Sequence, residues 1–131
     1  MFELASQGDL VGDVMVRKVA TISPDKKLCD AAKLMEKRQI GSVVVVRDRR
    51  VIGILTERDF VRLAAVGYDV KTARIMEVMR RRVVTCSPYI KCWDAYAIMR
   101  KENVGHLPVV FKGKLVGMIT PRDLIAAGKL I

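Results

Sequence analysis

The chain has 131 residues, of which 51% are hydrophobic and 29% are charged, and its 24 basic and 14 acidic residues give a formal net charge of +10. These values predict one compact module with an apolar core, and they exclude a disordered chain and a pair of ordinary-sized domains. No apolar run is long enough to span a bilayer, and the N-terminus lacks the pattern of a signal peptide, so a cytoplasmic protein without membrane insertion is expected.

The first elements alternate between helix and strand patterns. A short helix-like lead at Phe2 to Gln7 is followed by an alternating strand at Val19 to Ile22. Ser23 is a favourable N-cap residue and Pro24 suits a first helical position, which predicts that a helix begins here. Apolar residues at helical spacing then indicate an amphipathic helix that continues to about Arg38.

A hairpin and a second helix complete the pattern. The β-branched run Val43 to Val46 has the length of a buried strand, and the polar turn Arg47 to Arg50 joins it to a strand at Val51 to Leu55. A second helix starts after Thr56 and is ended by Gly67. The predicted unit is therefore strand, helix, strand, strand, helix.

The whole unit recurs once along the chain, at a constant offset and without a gap. The stretch Gly53 to Asp59, with the pattern Gly-x-x-Thr-x-Arg-Asp, returns as Gly117 to Asp123, and this pair of stretches defines the repeat offset. Agreement this long indicates an internal duplication. Each half would be marginally stable alone, so the predicted α+β (α/β) fold has two β-α-β-β-α repeats whose sheets pack on each other about a pseudo-twofold axis. The expected segments are a lead at 1–9, repeat 1 at 10–67, a linker at 68–77 that is partly helical from Thr72, and repeat 2 at 78–131.

The repeated stretch has two interpretations. A threonine followed three residues later by an aspartate at a helix start is close to a capping box, in which both side chains bind backbone N–H groups. The same pair suits a ligand, because a carboxylate accepts from both hydroxyls of a ribose and a helix N-terminus attracts phosphate. From the residues alone, the two interpretations are equally supported for Thr56 with Asp59 and for Thr120 with Asp123.

These features resemble a tandem pair of CBS domains, also called a Bateman module. The resemblance covers about Leu10 to Gly128 and rests on D-V-M, T-I-S-P-D, D-A-A-x-L-M, I-G-S-V-V-V and G-I-L-T-E-R-D, with their counterparts in the second copy. It implies a regulatory module that binds AMP, ADP or ATP in clefts between the repeats. It also implies a homodimer and a separate regulated protein that receives the signal.

The nucleotide contacts are expected at the positions that match the family pattern. The aspartates would accept the ribose hydroxyls, the threonines and arginines would bind phosphate, and small or apolar residues would line the adenine slot. Arg17 and the cluster Arg80 to Arg82 are further candidates for phosphate contacts. The expected ligand-binding residues are Thr21, Ile22, Ile40, Gly41, Ser42, Thr56, Arg58 and Asp59 in the first repeat, and Thr85, Cys86, Val104, Gly105, His106, Pro108, Thr120, Arg122 and Asp123 in the second.

Two alternatives to a nucleotide sensor stay open. The positive charge also suits nucleic acid, bound by a protein whose CBS sites are empty, and S-adenosylmethionine is an alternative adenosyl ligand. An enzyme is not expected, because no metal-ligand cluster, nucleophile with a base, or P-loop is visible.

The sulfur-containing residues have ordinary structural interpretations. Cys29, Cys86 and Cys92 lack a C-x-x-C spacing and are expected to be buried, reduced thiols. The recurring methionines are expected in the core, namely Met15, Met35, Met79, Met99 and Met118.

Overall fold

The computed structural model describes residues 10–129, so the helix-like lead predicted at 2–7 lies outside the described residues. The chain divides into two compact units. The first-repeat unit is Ala20–Val83, and the second-repeat unit is formed by residues 10–19 and 84–129. The elements in chain order are α1 (Val11–Val14), β1 (Thr21–Ile22), α2 (Leu28–Arg38), β2 (Ser42–Arg47), β3 (Arg50–Thr56), α3 (Glu57–Ala65), α4 (Ile75–Val78), α5 (Cys92–Glu102), β4 (Leu107–Phe111), β5 (Lys114–Ile119) and α6 (Pro121–Ala126).

The first-repeat unit is built on a three-stranded sheet in the order β1-β2-β3. β1 runs parallel to β2, and β2 and β3 form the predicted antiparallel hairpin. The amphipathic helix predicted to end near Arg38 is confirmed as α2, which buries Leu28, Ala31 and Met35 against Val43 of β2. The sequence predicted this part of the core because its apolar residues recur with the period of an α-helix and so lie on one face of it.

Each unit is completed by a short helix that lies at the N-terminal edge of the other repeat in the sequence. In the first-repeat unit, the N–H of Ile75 at the start of α4 donates to the carbonyl of Lys26 at 2.9 Å. In the second-repeat unit, the N–H of Val11 in α1 donates to the carbonyl of Ile90 at 2.9 Å. Ile75 and Val11 are fully buried in the cores of their respective units. The chain therefore exchanges these equivalent helices between its repeats.

The segment after each short helix pairs with the last strand of the sheet. Arg80 and Ile54 exchange two backbone hydrogen bonds of 3.1 Å, and Val16 and Met118 exchange two of 2.9 Å. The two pairs have the same register, because Val16 and Arg80, like Ile54 and Met118, are separated by the repeat offset. Positions 80 and 16 are thus structurally equivalent in the two units.

The second-repeat unit has a two-stranded sheet in which β4 and β5 are antiparallel. The strand expected at Thr85 and Cys86 from the repeat is wrong, since only one parallel bridge joins Cys86 to Val109. In the first-repeat unit the N–H of Val44 donates to the carbonyl of Ala20 at 3.1 Å. The equivalent of Val44 is Pro108, which has no N–H, and this hydrogen bond is therefore lost.

The prediction that Ser23 caps the first amphipathic helix is also wrong. α2 begins at Leu28, and its N-cap residue Lys27 donates its N–H to Asp30 Oδ2 at 3.0 Å. Ser23 Oγ instead accepts from the N–H of Asp25 at 3.2 Å, which stabilises a local turn. The intervening backbone stays out of the helix because Lys27 pairs with Arg74 in an isolated bridge.

Most of the sulfur-containing side chains are buried as the sequence predicted, with Cys29 and Met15 as the exceptions. Among the described residues the cysteines are free thiols, with Cys86 and Cys92 buried and Cys29 half-buried. Four of the five recurring methionines are buried and Met15 is partly buried against the core of the second-repeat unit. No helix in residues 10–129 combines the length and apolar character needed to cross a membrane.

The hairpin turns provide a stability prediction. Both central residues of each turn have positive φ, at 54° and 67° for Asp48 and Arg49 and at 51° and 79° for Lys112 and Gly113. This conformation strains a residue with a side chain but not glycine. Arg49→Gly is therefore expected to raise the free energy of unfolding by about 1 kcal/mol, and Gly113→Arg to lower it by about as much. Urea unfolding of both variants measures this, and equal effects of the same sign would contradict it.

Candidate functional site

The repeated stretch forms a corner at which the last strand of each unit runs directly into a helix. In the first-repeat unit, Thr56 ends β3 and is the N-cap residue of α3. Asp59 Oδ2 accepts from the N–H and the hydroxyl of Thr56 at 2.9 and 3.2 Å. Thr56 Oγ1 accepts in turn from the N–H of Asp59 at 3.4 Å. The capping box that the sequence offered as one interpretation is therefore present.

The second-repeat unit has the same corner. Asp123 Oδ2 accepts from the N–H and the hydroxyl of Thr120, both at 3.0 Å, and Thr120 Oγ1 accepts from the N–H of Asp123 at 3.3 Å. Pro121 is the first residue of α6, as predicted. In both corners the cap uses Oδ2 of the aspartate, so the surroundings of Oδ1 determine what else each carboxylate can bind.

Oδ1 of Asp59 is occupied by two arginines. It accepts from Arg80 Nε at 2.7 Å and from Arg62 Nη2 at 2.8 Å, and the Asp59 side chain is 0% exposed. Burial alone would raise the pKa of Asp59, but the hydrogen bonds from Arg80, from the N–H of Thr56 and from Arg62 outweigh it. The pKa therefore lies below its ordinary value of 3.8, and Asp59 is an ionised, fully hydrogen-bonded carboxylate.

One of these arginines was not identified from the sequence. Arg80 was predicted as a phosphate contact, and the structure places its guanidinium on Asp59 instead. Arg62 was not singled out, although its position three residues after Asp59 on a helix is a spacing at which opposite charges meet. Helical spacing was thus the signal for Arg62, while nothing local in the sequence connects Arg80 to the corner.

Oδ1 of Asp123 has different surroundings. The positions equivalent to Arg62 and Arg80 are Ala126 and Val16, and neither can donate a side-chain hydrogen bond. Within residues 10–129, no hydrogen-bond or ion-pair partner of Asp123 Oδ1 is found. The side chain is only partly buried. This oxygen is therefore available to a donor from solution.

Of the expected adenine-slot residues of the first-repeat unit, Gly41 and Ser42 lie beside Thr56, whereas Thr21 and Ile22 pair with Val44 and Val45 further along β2. Ser42, the first residue of β2, is paired with Thr56, and the carbonyl of Gly41 accepts from the N–H of Glu57 at 3.1 Å. Ile22 in β1 and Ile40 are half-buried. Thr21, also in β1, is exposed.

In the second-repeat unit the corresponding residues flank Thr120. Leu107 pairs with Ile119, which brings Val104, Gly105 and His106 to the strand end that leads into the corner. A Cβ atom added to Gly105 would meet no atom within 4 Å, so the space beside this glycine is open. A ligand can therefore approach the backbone closely at this position.

Two further expected ligand-binding residues of the second-repeat unit lie in its interior. Cys86 and Pro108 are buried and are linked by a hydrogen bond of 3.1 Å from the N–H of Cys86 to the carbonyl of Pro108. Burial raises the pKa of the Cys86 thiol to about 11, so the thiol is neutral at physiological pH. Cys86 is thus a buried, uncharged side chain and not a nucleophile.

The other arginines predicted to contact phosphate differ in whether they are hydrogen-bonded within their own unit. Arg58 and Arg122, in the first turns of α3 and α6, are exposed. Arg17 and Arg81 are equivalent residues, and both donate to backbone carbonyls, Gly12 at 3.1 Å and Met76 at 2.7 Å. Arg17 and Arg81 are therefore partly used within their own units. Among residues 10–129 there is no group of three His, Cys, Asp or Glu side chains that could hold a metal ion.

Comparison with known proteins supports the internal duplication of the chain. The family model described as the CBS domain matches residues 11–66 and again residues 75–129. The chain is 36% identical over 115 residues to the CBS domain-containing protein YhcV of Bacillus subtilis, covering 87% of this chain and 81% of that protein. The match thus includes most of both chains.

Two further similarities bear on context. Inosine-5'-monophosphate dehydrogenase of Thermoplasma acidophilum is 35% identical over 117 residues, which cover 88% of this chain and 23% of that protein. The hexameric CBS-CP12 protein from bloom-forming cyanobacteria has a similar structure, with a TM-score of 0.81 and 28% identity over 89% of this chain and 70% of that chain. The residues that align with this chain thus make up most of one relative and a minor part of another.

Proposed function

The chain belongs to the CBS-domain family, with two CBS domains in tandem, and from this premise we propose that it is a regulatory module that binds an adenine nucleotide. AMP, ADP and ATP are the proposed ligands. The bound state is passed to a separate partner protein, and the chain itself carries no catalysis.

One observation carries the proposal. Asp123 Oδ1 has no partner among the described residues, and there is open space beside Gly105 at the strand end that leads into the same corner. Asp123 Oδ1 can accept from ribose hydroxyls while Oδ2 keeps the helix cap. The open space at Gly105 admits a planar base. The proposed complex therefore uses chemistry that does not require the cap to break.

The phosphates are assigned to two residues of the same corner, the exposed Arg122 and the half-buried His106. Arg122 lies in the first turn of α6 next to Asp123, and Thr120 is its N-cap residue. The net charge of +10 favours association with a polyanionic ligand. Arg122 and His106 are the proposed phosphate contacts, with the guanidinium matching the geometry of phosphate oxygens.

The proposal includes self-association as a homodimer and a signal in trans. The hexameric CBS-CP12 protein is a relative that assembles from several copies. In the dehydrogenase relative the aligned residues cover 23% of the protein, so most of it lies outside the match. A regulatory pair that serves a separate or attached partner fits both cases.

Isothermal titration calorimetry with AMP, ADP, ATP and S-adenosylmethionine tests the proposal. Binding of at least one adenine nucleotide is expected, with the affinity at least tenfold weaker in Asp123→Ala. Sedimentation velocity on the same samples measures whether the chain is a dimer and whether the nucleotide changes it.

Absence of heat with all four ligands would overturn the nucleotide proposal. If S-adenosylmethionine alone bound, the ligand would be adenosyl but the proposed nucleotide would be wrong. If no ligand bound and the chain retarded labelled RNA or DNA in a salt-dependent manner, the nucleic-acid alternative would be favoured.

A further inference from the structure

The two corners differ at two equivalent positions whose side chains can donate hydrogen bonds to the aspartate in one unit only. At the repeat offset, Arg62 corresponds to Ala126 and Arg80 corresponds to Val16. The threonine, the aspartate and the cap are otherwise the same in both units. The two units therefore differ in whether arginine donors surround Oδ1 of the aspartate.

The backbone holds these positions alike in both units. Arg80 is fixed by its two hydrogen bonds to Ile54, and Val16 by its two hydrogen bonds to Met118. The backbone pairing therefore has the same register in both units, and the units differ in the side chain that this position carries. Arginine at 80 reaches Asp59, whereas valine at 16 has no group that could reach Asp123 as a donor.

The hydrogen-bonding capacity of Asp59 is used up. An ionised carboxylate has about four lone-pair sites. Oδ2 of Asp59 accepts twice from Thr56, and Oδ1 accepts once each from Arg62 and Arg80. With its side chain 0% exposed, Asp59 offers no oxygen to solution.

A ribose could bind Asp59 only by displacing the guanidinium groups. The hydrogen bonds of 2.7 and 2.8 Å from the arginines also carry the Coulombic attraction between opposite charges, which uncharged ribose hydroxyls cannot replace. The exchange is therefore unfavourable at the first corner. At the second corner no such displacement is required.

We propose that Arg62 and Arg80 close the first corner, so that each chain binds one adenine nucleotide, with its ribose on Asp123. This inference rests on the proposed function and names which of the two repeats performs it. Asp59 then serves as a structural carboxylate, and Arg62 and Arg80 determine the number of nucleotides bound per chain.

An exchange of the differing residues tests the inference by calorimetry with AMP, ADP and ATP. The wild type is expected to bind one nucleotide per chain. Val16→Arg with Ala126→Arg places arginines at the second corner and should weaken binding at least tenfold. Arg62→Ala with Arg80→Val gives the first corner the residues of the second and should raise the stoichiometry to two.

The closing variant has a matched charge control. Val61→Arg with Val66→Arg adds the same two positive charges at exposed positions of the first-repeat unit. Added positive charge by itself attracts a nucleotide, so the control is expected to bind at least as well as the wild type. Thermal unfolding of each variant confirms that the fold is kept.

The outcomes separate the inference from the function on which it rests. No binding by the wild type would overturn both. Binding of two equivalent nucleotides per wild-type chain would overturn the inference and leave the function intact. The same holds if the closing variant bound normally, or if Asp59→Asn abolished binding while Asp123→Asn did not.

Discussion

Asp59→Asn is expected to lower the free energy of unfolding by about 3 kcal/mol, the lower end of the range for removing one partner of a buried ion pair. The lower end applies because the side chains of Arg62 and Arg80 are each 47% exposed and can be hydrated once the carboxylate is gone. Loss of the negative charge from the N-terminus of α3 contributes to the same effect. Chemical unfolding at neutral pH measures the change.

Asp123→Asn is the matched control for this substitution. It removes the negative charge from the N-terminus of α6, where an acidic side chain stabilises the helix dipole, but no arginine binds Asp123 within the described residues, so a loss of about 1 kcal/mol is expected. Equal losses at the two sites would show that the arginines contribute nothing to the role of Asp59.

The effect of Asp59→Asn should also depend on pH. Because the pKa of Asp59 is lower in the folded protein than its ordinary value of 3.8, the ionised carboxylate stabilises the fold fully above about that value. This contribution is lost as the pH falls from there through the lowered pKa. The difference between wild type and variant should therefore shrink below pH 3.8 and stay constant at neutral pH.

Gly53→Val and Gly117→Val are each expected to cost about 2 kcal/mol of stability, the middle of the range for overpacking a core. A Cβ at Gly53 would lie 2.9 Å from Met79 Cγ and 3.2 Å from the carbonyl oxygen of Arg80. A Cβ at Gly117 would lie 2.9 Å from Met15 Cγ and 3.1 Å from the carbonyl oxygen of Val16. Carbon atoms prefer separations of about 3.5 to 4.0 Å, so the methionine side chain over each glycine must shift, and the neighbouring carbonyl must give way by a few tenths of an ångström.

Gly105→Val is the control, because the space beside Gly105 is open and the folded state should be unaffected. The proposed nucleotide would meet the new side chain there, so this variant should lose binding and keep its stability. Thermal unfolding and calorimetry on the three variants separate the two effects. A loss of stability in Gly105→Val, or none in the other two, would contradict the prediction.

The sequence predicted most of the secondary structure because its signals are local. The hairpin, the helix after Thr56 and the buried methionines were confirmed, since strand and helix periods and turn residues are set by near neighbours. The two errors arose where a distant residue competes with a local preference. Arg74 keeps Lys27 in an extended bridge beyond Ser23, and Pro108 removes a hydrogen bond from the strand expected at Thr85.

The sequence predicted the residues of the two candidate corners, but it did not predict that the two corners differ. The constant repeat offset identified Thr56 with Asp59 and Thr120 with Asp123 as equivalent pairs, and both form the predicted cap. By the motif alone, the two aspartates could not be told apart. The residues that distinguish them lie outside the motif.

The sequence by itself therefore determined that this protein has two equivalent strand-to-helix corners, each with a capped aspartate. Only the tertiary structure decided that one aspartate is closed and the other has an available oxygen. The physical reason is that Arg80, which is distant from Asp59 along the chain, reaches its carboxylate through the backbone pairing with Ile54. Val16 is held in the same way over Met118, and it has no donor to offer Asp123.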